Sequence, residues 1–120
     1  MSKRRVVVTG LGQVSPVGND VATGWANLLA GQSGIDLITR FDPSDMGCHV
    51  AGQVKDFDVS QYVNPKDARR MDDFIHYGIA AAMQAISDAG LDEIADLDKT
   101  RVGVNIGSGI GGLQLIEQTN

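Results

Sequence analysis

A β-branched run near the start of the chain, Val6 to Thr9, constrains the fold more than any other feature. Its side chains do not alternate between apolar and charged residues, so the run predicts a strand that is covered on both faces. Strands of that kind occur in parallel or mixed sheets, where helices lie against both sides. The run therefore predicts a layered α/β domain.

Two helical patterns support the α/β class. Apolar residues recur at helical spacing after Asn19 and Asp20, which are candidate N-caps, and Gly31 stands where such a helix would end. A longer pattern predicts one continuous helix from Asn64 to Gly90. The other predicted elements are a loop over 32–49, a weak strand over 50–54, a helical turn over 58–63 and a strand over 101–106.

The predicted elements are too few to fold as a closed unit. Two or three strands do not make an independent sheet with both faces buried. The last pattern, an amphipathic helix from Leu113 to Asn120, contains no stop signal. We therefore expect the 120 residues to be the N-terminal piece of a longer protein, with no internal domain boundary.

Composition argues against several classes of protein. Ten Lys and Arg residues against fifteen Asp and Glu residues give a net charge of −5, which disfavours a nucleic-acid or anionic-membrane partner. No apolar run in the sequence reaches the ~18 residues of a membrane span. The single cysteine excludes an internal disulfide. We expect a soluble cytoplasmic protein.

Glycine is abundant, with 15 of the 120 residues, and one group of glycines suggests nucleotide binding. Gly107, Gly109 and Gly112 match the dinucleotide fingerprint between a predicted strand and a predicted helix. The acidic residue that completes this fingerprint would lie beyond Asn120. We favour the plainer interpretation, in which the glycines allow tight turns and close backbone packing.

Two other local patterns suggest chemistry less strongly. Cys48 and His49 are neighbours in a predicted loop, where adjacent side chains point to opposite sides, so a catalytic dyad is not expected. His76 lies within the predicted long helix near Asp72 and Asp73, and we expect it to be solvated or paired with a carboxylate. From the residues alone, no active site is evident.

Three cations near the start of the predicted long helix form the feature that we call the basic cluster: Lys66, Arg69 and Arg70. In the first turns of a helix they would face the positive end of the macrodipole, which disfavours cations. Lys66 and Arg70 would also repel each other at a spacing of four residues. Two interpretations remain open, an ordinary solvated helix face and a docking surface for an acidic partner.

Longer stretches of the sequence are similar to one protein family. They are Lys3 to Gly12, Ser15 to Gly18, Leu28 to Ile35, Lys55 to Phe57, Met71-Asp72, Phe74-Ile75, Tyr77-Gly78 and Ile106 to Leu113. Together and in order they resemble the N-terminal part of the β-ketoacyl-acyl carrier protein synthases, the elongating condensing enzymes of type II fatty acid synthesis. The resemblance implies the thiolase fold, whose two similar halves each hold a five-stranded mixed sheet layered with helices. This chain would supply the early elements of the first half.

The resemblance also implies an activity, the decarboxylating Claisen condensation of an acyl thioester with malonyl-acyl carrier protein in fatty acid elongation. It implies acyl carrier protein as a partner, acyl and malonyl thioesters as substrates, a homodimer, and neither a cofactor nor a metal. The catalytic cysteine and two histidines of the family are expected beyond residue 120, so the chain alone is expected to be inactive. A rival interpretation is a non-catalytic chain-length partner subunit of the same family.

Two sets of positions acquire roles through the resemblance. Ile110 stands where the family has an acyl-pocket residue near the dimer interface. The basic cluster of Lys66, Arg69 and Arg70 stands where the family presents basic residues to the acidic helix of acyl carrier protein. We therefore expect Ile110 to contact the acyl chain and the basic cluster to bind the carrier protein.

Overall fold

The structure, a computed structural model, describes residues 3–113, 116 and 117. The helices and strands of this part are α1 (Val21–Leu29), β1 (Ile35–Leu37), β2 (Val50–Gly52), α2 (Pro65–Ala68) and α3 (Asp73–Asp88). Single turns of 3₁₀ helix span Val59–Gln61, Leu91–Glu93 and Lys99–Arg101. Strands β1 and β2 pair in antiparallel fashion, and they form the only sheet among the described residues.

Helix α1 forms where the sequence predicts it. Of the two candidate caps, Asp20 is the residue that begins the helix, because its carboxylate accepts a hydrogen bond of 2.8 Å from the Thr23 backbone N–H. Gly31 follows the helix with a φ of 68°, a left-handed conformation that glycine adopts without strain. Both end signals of this helix are confirmed.

The predicted long helix is wrong as a single element. The chain forms α2 and then α3, with Arg69 to Asp72 between them. Asp72 has extended backbone angles and begins α3 by accepting a hydrogen bond of 2.7 Å from the Asp73 N–H. An aspartate that caps its own downstream turn competes with a continuous helix, which is why the pattern breaks there. Gly90 ends the region with a φ of 63°.

Two of the predicted strands are absent from the described part of the chain. Residues 6–9 and 101–106 lie outside any strand, whereas β1 lies inside the predicted loop over 32–49. A strand is defined by its pairing partner, and neither segment has one among the described residues. We call residues 3–9 and 102–110 the bare segments, because Val6 is 91% exposed in one and Val104 is 78% exposed in the other.

Helix α3 holds the loop that follows the first bare segment. Gly10 and Gly12 lie directly on its backbone, where an added Cβ at Gly12 would overlap the Ala81 carbonyl and approach the Ala85 nitrogen to 2.9 Å. Hydrogen bonds flank these contacts, from the Leu11 N–H to the Asp88 carboxylate (2.9 Å) and from the Gln13 N–H to the Gln84 side-chain carbonyl (3.1 Å). Close backbone packing therefore accounts for these two glycines.

Little of the described chain is fully buried. The buried set is short: Gly24, Ala68, His76 and Ala80. The accessible surface is 9807 Å², whereas a compact monomer of this mass exposes roughly 6,200 Å². The radius of gyration is 17.8 Å, against about 14 Å for a compact domain of this length. Much apolar surface is therefore available for contact with other protein surfaces.

Candidate functional site

The basic cluster lies on and just after α2. Lys66 is in the helix, Arg69 is its C-cap, and Arg70 lies in the following turn. Pro65 occupies the first turn, and Asn64 begins the helix by accepting a hydrogen bond of 2.9 Å from the Lys66 N–H. All three cations are exposed. The cluster is thus carried by one short helix and its C-terminal turn.

This placement corrects the electrostatic argument from the sequence. The predicted long helix put all three cations at a positive helix end, but α2 stops at Ala68. Arg69 and Arg70 lie between the carboxyl end of the four-residue α2 and the amino end of α3, whose dipoles act on cations in opposite senses. The dipole argument for a functional cost therefore no longer holds, and the interest of the cluster depends on its exposure and on the absence of ion pairs to it among the described residues.

The cations of the cluster are free to meet an external partner. The ion pairs among the described residues join Arg40 to Asp73, Lys55 to Asp36 and His76 to Asp73. Lys66, Arg69 and Arg70 take part in none of them. Three exposed cations that form no ion pair among the described residues create a positive surface on a chain whose net charge is −5.

A polar network lies behind the cluster at the start of α3. The Arg40 guanidinium lies 2.7 Å from the Asp73 carboxylate and donates a hydrogen bond of 2.8 Å to the Tyr77 hydroxyl. Burial lowers the pKa of Arg40, but attraction to Tyr77 and Asp73 outweighs burial and raises that pKa above its ordinary value. Burial, followed by the Asp73 carboxylate, raises the pKa of Tyr77. The network ties the segment after β1 to α3.

His76 connects this network to α2. Its Nε2 atom lies 3.0 Å from the Ala68 carbonyl oxygen, and its Nδ1 atom lies 3.6 Å from the Asp73 carboxylate. The expected carboxylate pairing is confirmed, but His76 is buried rather than solvated. No local pattern predicts the contact to Ala68, because a histidine-to-carbonyl bond across a helix break leaves no signal in the sequence.

The contact between Arg40 and Tyr77 is not predicted by any local pattern in the sequence. Arg40 lies in a predicted loop, and its partner Tyr77 is 37 positions away along the chain. Tyr77 also makes an edge-to-face contact with Phe57, with ring centroids 5.1 Å apart. The one available signal was the spacing of polar residues on α3, where Asp73 and Tyr77 are four positions apart and share a face.

Ile110 lies in the second bare segment and is 74% exposed. An apolar cavity of about 350 Å³ lies nearby, lined by α3 from Phe74 to Ile79 and by residues 106–108. Ile110 is not among its lining residues. The role of Ile110 in an acyl pocket stays a prediction.

The glycines around Ile110 differ in what they require. Gly111 has a φ of 76°, which favours glycine, and a Cβ added at Gly112 would overlap the Asp72 carboxylate. Gly107 and Gly109 have open space where a Cβ would lie. Tight backbone geometry is thus needed at the end of residues 107–112, which we call the glycine segment. The predicted helix that follows is described only at residues 113, 116 and 117, and the rest of it lies outside the described residues.

The remaining candidates of the sequence analysis carry no site. The Cys48 thiol donates to the Val50 carbonyl at 3.4 Å, whereas His49 Nε2 lies 2.9 Å from the Met46 carbonyl, so each side chain has a separate backbone partner. Residues 3–113, 116 and 117 contain no group of three metal-ligating side chains. No helix in that part of the chain is long and apolar enough to cross a bilayer.

Comparison with known proteins shows which family the chain belongs to. Residues 3–120 match the family model of the β-ketoacyl synthase N-terminal domain. The chain belongs to the β-ketoacyl synthase family. It is 61% identical over 117 residues to a 3-oxoacyl-[acyl-carrier-protein] synthase 2 of Vibrio harveyi. The matched residues are 98% of this chain and 28% of that protein. The chain thus spans less than a third of the curated relatives that it matches.

Two solved ketosynthase structures resemble the chain. One is the ishigamide ketosynthase/chain length factor, with a TM-score of 0.65 and 37% identity over 85% of this chain and 24% of that one. The other is a type II PKS acyl-carrier protein in complex with its ketosynthase, with a TM-score of 0.66 and 35% identity over 92% of this chain and 29% of that one. The α/β, thiolase-like fold is confirmed by these neighbours. The family match favours a ketosynthase interpretation of the glycine segment over dinucleotide binding.

Proposed function

We propose that the chain is the N-terminal portion of a 3-oxoacyl-[acyl-carrier-protein] synthase that elongates fatty acids. The observation that carries the proposal is the 61% identity to the Vibrio harveyi synthase across 98% of this chain. In the full-length synthase, an acyl group passes from its carrier thioester to a cysteine sulfur. Malonyl-acyl carrier protein then loses carbon dioxide, and the resulting carbanion attacks the acyl-cysteine thioester. The product is a 3-oxoacyl thioester of the carrier protein, and the cysteine is released.

The catalytic groups belong to the part of the synthase beyond residue 120. Cys48 is exposed and held to a local backbone carbonyl, which is not the setting of an activated nucleophile. The 120 residues are therefore inactive by themselves, because covalent catalysis needs the nucleophile and its partners in one constellation. In the complete synthase, a cytoplasmic homodimer, the bare segments pair within a five-stranded mixed sheet.

The basic cluster is the docking surface for acyl carrier protein. Its support is the exposure of Lys66, Arg69 and Arg70, the absence of local counter-ions among the described residues, and a ketosynthase neighbour that is a complex with an acyl-carrier protein. Charges at an interface rim act mainly on association and on salt dependence. The cluster therefore contributes to carrier recognition and not to the chemical step.

Charge reversal in the full-length synthase tests this docking surface. Lys66→Glu, Arg69→Glu and Arg70→Glu each raise KM for carrier-bound substrates several-fold, leave kcat almost unchanged, and leave small thioester substrates unaffected. Added salt reduces the difference, because the Debye length is about 8 Å at physiological ionic strength. Lys99→Glu, which reverses another exposed cation of the chain, is the matched control and has no effect. Unchanged kinetics of the three cluster variants at low salt would contradict the docking assignment.

Ile110 limits the acyl pocket in the complete synthase. A branched apolar side chain that is 74% exposed on a glycine segment is available to contact an acyl chain once other parts of the synthase surround it. The same exposure makes it available to a dimer interface. Its role is in chain-length selection, with acyl thioesters as the substrate class.

A second candidate function is a non-catalytic chain-length subunit, which the ketosynthase/chain length factor neighbour at 37% identity supports. Incubation of the full-length protein with acyl- and malonyl-acyl carrier protein separates the two. A synthase releases carbon dioxide and forms a 3-oxoacyl thioester, and it loses both reactions after alkylation of its nucleophilic cysteine. A protein without that cysteine that forms no product alone, but changes the product length of a catalytic partner, overturns the first proposal.

A further inference from the structure

Helix α2 is too short to hold its own position. It has four residues, whereas isolated helices shorter than ~12–15 residues are marginal in water. Its side-chain contacts with the rest of the protein are also few, since Ala68, 8% exposed, is its one buried residue. The orientation of the basic cluster therefore depends on whatever fixes the end of α2.

The Ala68 carbonyl is the point at which α2 is fixed. It accepts a hydrogen bond of 3.1 Å from the Met71 N–H, which tightens the turn, and it lies 3.0 Å from His76 Nε2 on α3. A carbonyl oxygen only accepts, so Nε2 is the ring nitrogen that carries the proton in this bond. The bond joins the last residue of α2 to the first half of α3.

The other side of the histidine ring contacts Asp73. Nδ1 lies 3.6 Å from the Asp73 carboxylate, and the same carboxylate lies 2.7 Å from the Arg40 guanidinium. Arg40 is in turn bonded to Tyr77, one residue beyond His76 in α3. A buried ring that is bonded at Nε2 and packed against Asp73 has little freedom to turn away from Ala68.

We propose that His76 is a positioning residue, which fixes α2 and so presents the basic cluster in the orientation that carrier protein requires. The inference rests on the proposed docking function of the cluster. Ala68 immediately precedes Arg69, and Lys66 is two residues before it, so each cation is within two residues of the carbonyl that His76 holds. Ordering these side chains in advance removes part of the entropy cost of binding.

The test compares two substitutions in the full-length synthase. His76→Leu removes the donor to Ala68, whereas His76→Gln keeps an N–H donor on a side chain of similar reach. We expect the leucine variant to raise KM for carrier-bound substrates about fivefold, the effect of about 1 kcal/mol, which is typical of one hydrogen bond. Its kcat and its rates with small thioesters remain those of the wild type, and the glutamine variant restores most of the lost affinity.

Hydrogen exchange gives a readout that does not depend on carrier protein. Backbone amides of residues 66–70 exchange faster in the leucine variant than in the wild type, and the glutamine variant protects them again. If the leucine variant does not fold, Arg40→Gln replaces it, because that side chain is 46% exposed and its loss frees Asp73. A smaller rise of the same KM is expected, and an unchanged KM contradicts the positioning role.

Double variants separate this inference from the proposed docking function. If His76 acts through the cluster, His76→Leu raises KM by a smaller factor when Arg69→Glu is already present, since coupled residues are not additive. An Arg69→Glu variant with normal carrier kinetics overturns the docking surface itself. A harmful Arg69→Glu with a harmless His76→Leu overturns the positioning role alone, as does a leucine variant that slows carrier-bound and small substrates equally.

Discussion

Two regions of the molecule differ in how far they are covered by contacts within the chain. The surroundings of α3 are closed by contacts within the chain, through Gly12 against Ala81 and through the Arg40 network. The bare segments 3–9 and 102–110 instead expose apolar side chains, with Val6 91% and Ile110 74% accessible. The comparison indicates that the chain contains a helical region held by contacts within the chain and segments whose apolar side chains are available to other protein surfaces.

The largest expected effect follows for the chain produced alone. We expect the 120 residues to form aggregates or oligomers and not a stable monomer, because exposed apolar patches of this extent favour association. Leu113 and Ile116 add to the exposed surface, whereas Leu115, which shares their predicted helix, lies outside the described residues. Analytical ultracentrifugation with thermal unfolding checks this. A monomer of 12.7 kDa that unfolds cooperatively would contradict it.

The same comparison explains which elements the sequence could predict. Helix α1 is specified locally, by Asp20 at its start and Gly31 at its end, and both signals lie within the helix's own neighbourhood. The run at Val6 specifies only that a strand is favoured, since the pairing that makes a strand comes from residues far away in the chain. Strand β1 has three residues, which is too short for an alternating pattern to be distinguished from a loop.

The candidate site, like the fold, can be predicted from the sequence only where its signals are local. The residue types and spacing of Lys66, Arg69 and Arg70 were visible in the sequence, and their resemblance to a family supplied a role. The break between α2 and α3 has one signal in the sequence, Asp72, a residue type that begins helices, but the apolar spacing around it is typical of a continuous helix. Contacts such as that of Arg40 with Tyr77, 37 positions apart, depend on the fold and leave no local signal.

A substitution at Gly12 tests the contacts that hold its loop against α3. Gly12→Ala places a methyl group against the Ala81 carbonyl, so the loop must move away from α3. We expect the full-length synthase to lose about 1–3 kcal/mol of stability or more, as is usual when a packed site receives extra volume. Gly47→Ala, where a Cβ meets nothing within 4 Å, is the matched control. Equal melting temperatures for the two variants would show that α3 does not hold this loop.

A substitution at Ile110 tests what covers the second bare segment in the full-length synthase. In the proposed acyl-pocket role of Ile110, Ile110→Phe would fill part of the pocket, so long acyl chains would lose burial at roughly 0.8 kcal/mol for each excluded CH₂. We expect kcat/KM to fall for long acyl substrates and to stay near the wild-type value for short ones. Measurement of kcat/KM against acyl length checks this. Equal losses at every length would place Ile110 outside the pocket.

The smallest effect concerns Asp20 at the start of α1, and it varies with pH. Hydrogen bonds from the Thr23 backbone and then from the Thr23 hydroxyl lower the pKa of Asp20 below its ordinary value of 3.8. A carboxyl group with a lowered pKa contributes stability above the unfolded-state pKa, and this contribution is lost as the pH falls through the folded-state pKa. The capping bond is therefore at full strength at neutral pH and weakens below about pH 4.

Two variants of Asp20 separate the cap from its charge. Asp20→Ala removes the acceptor and costs about 1 kcal/mol at neutral pH. Asp20→Asn keeps a good N-cap oxygen without a titrating group, so it costs about a few tenths of a kcal/mol at neutral pH, and its own capping bond does not weaken as the pH falls. Hydrogen exchange of the α1 amides in the full-length synthase, at neutral pH and below pH 4, measures both. If the asparagine variant keeps the wild-type pH dependence, a group other than Asp20 titrates at this helix.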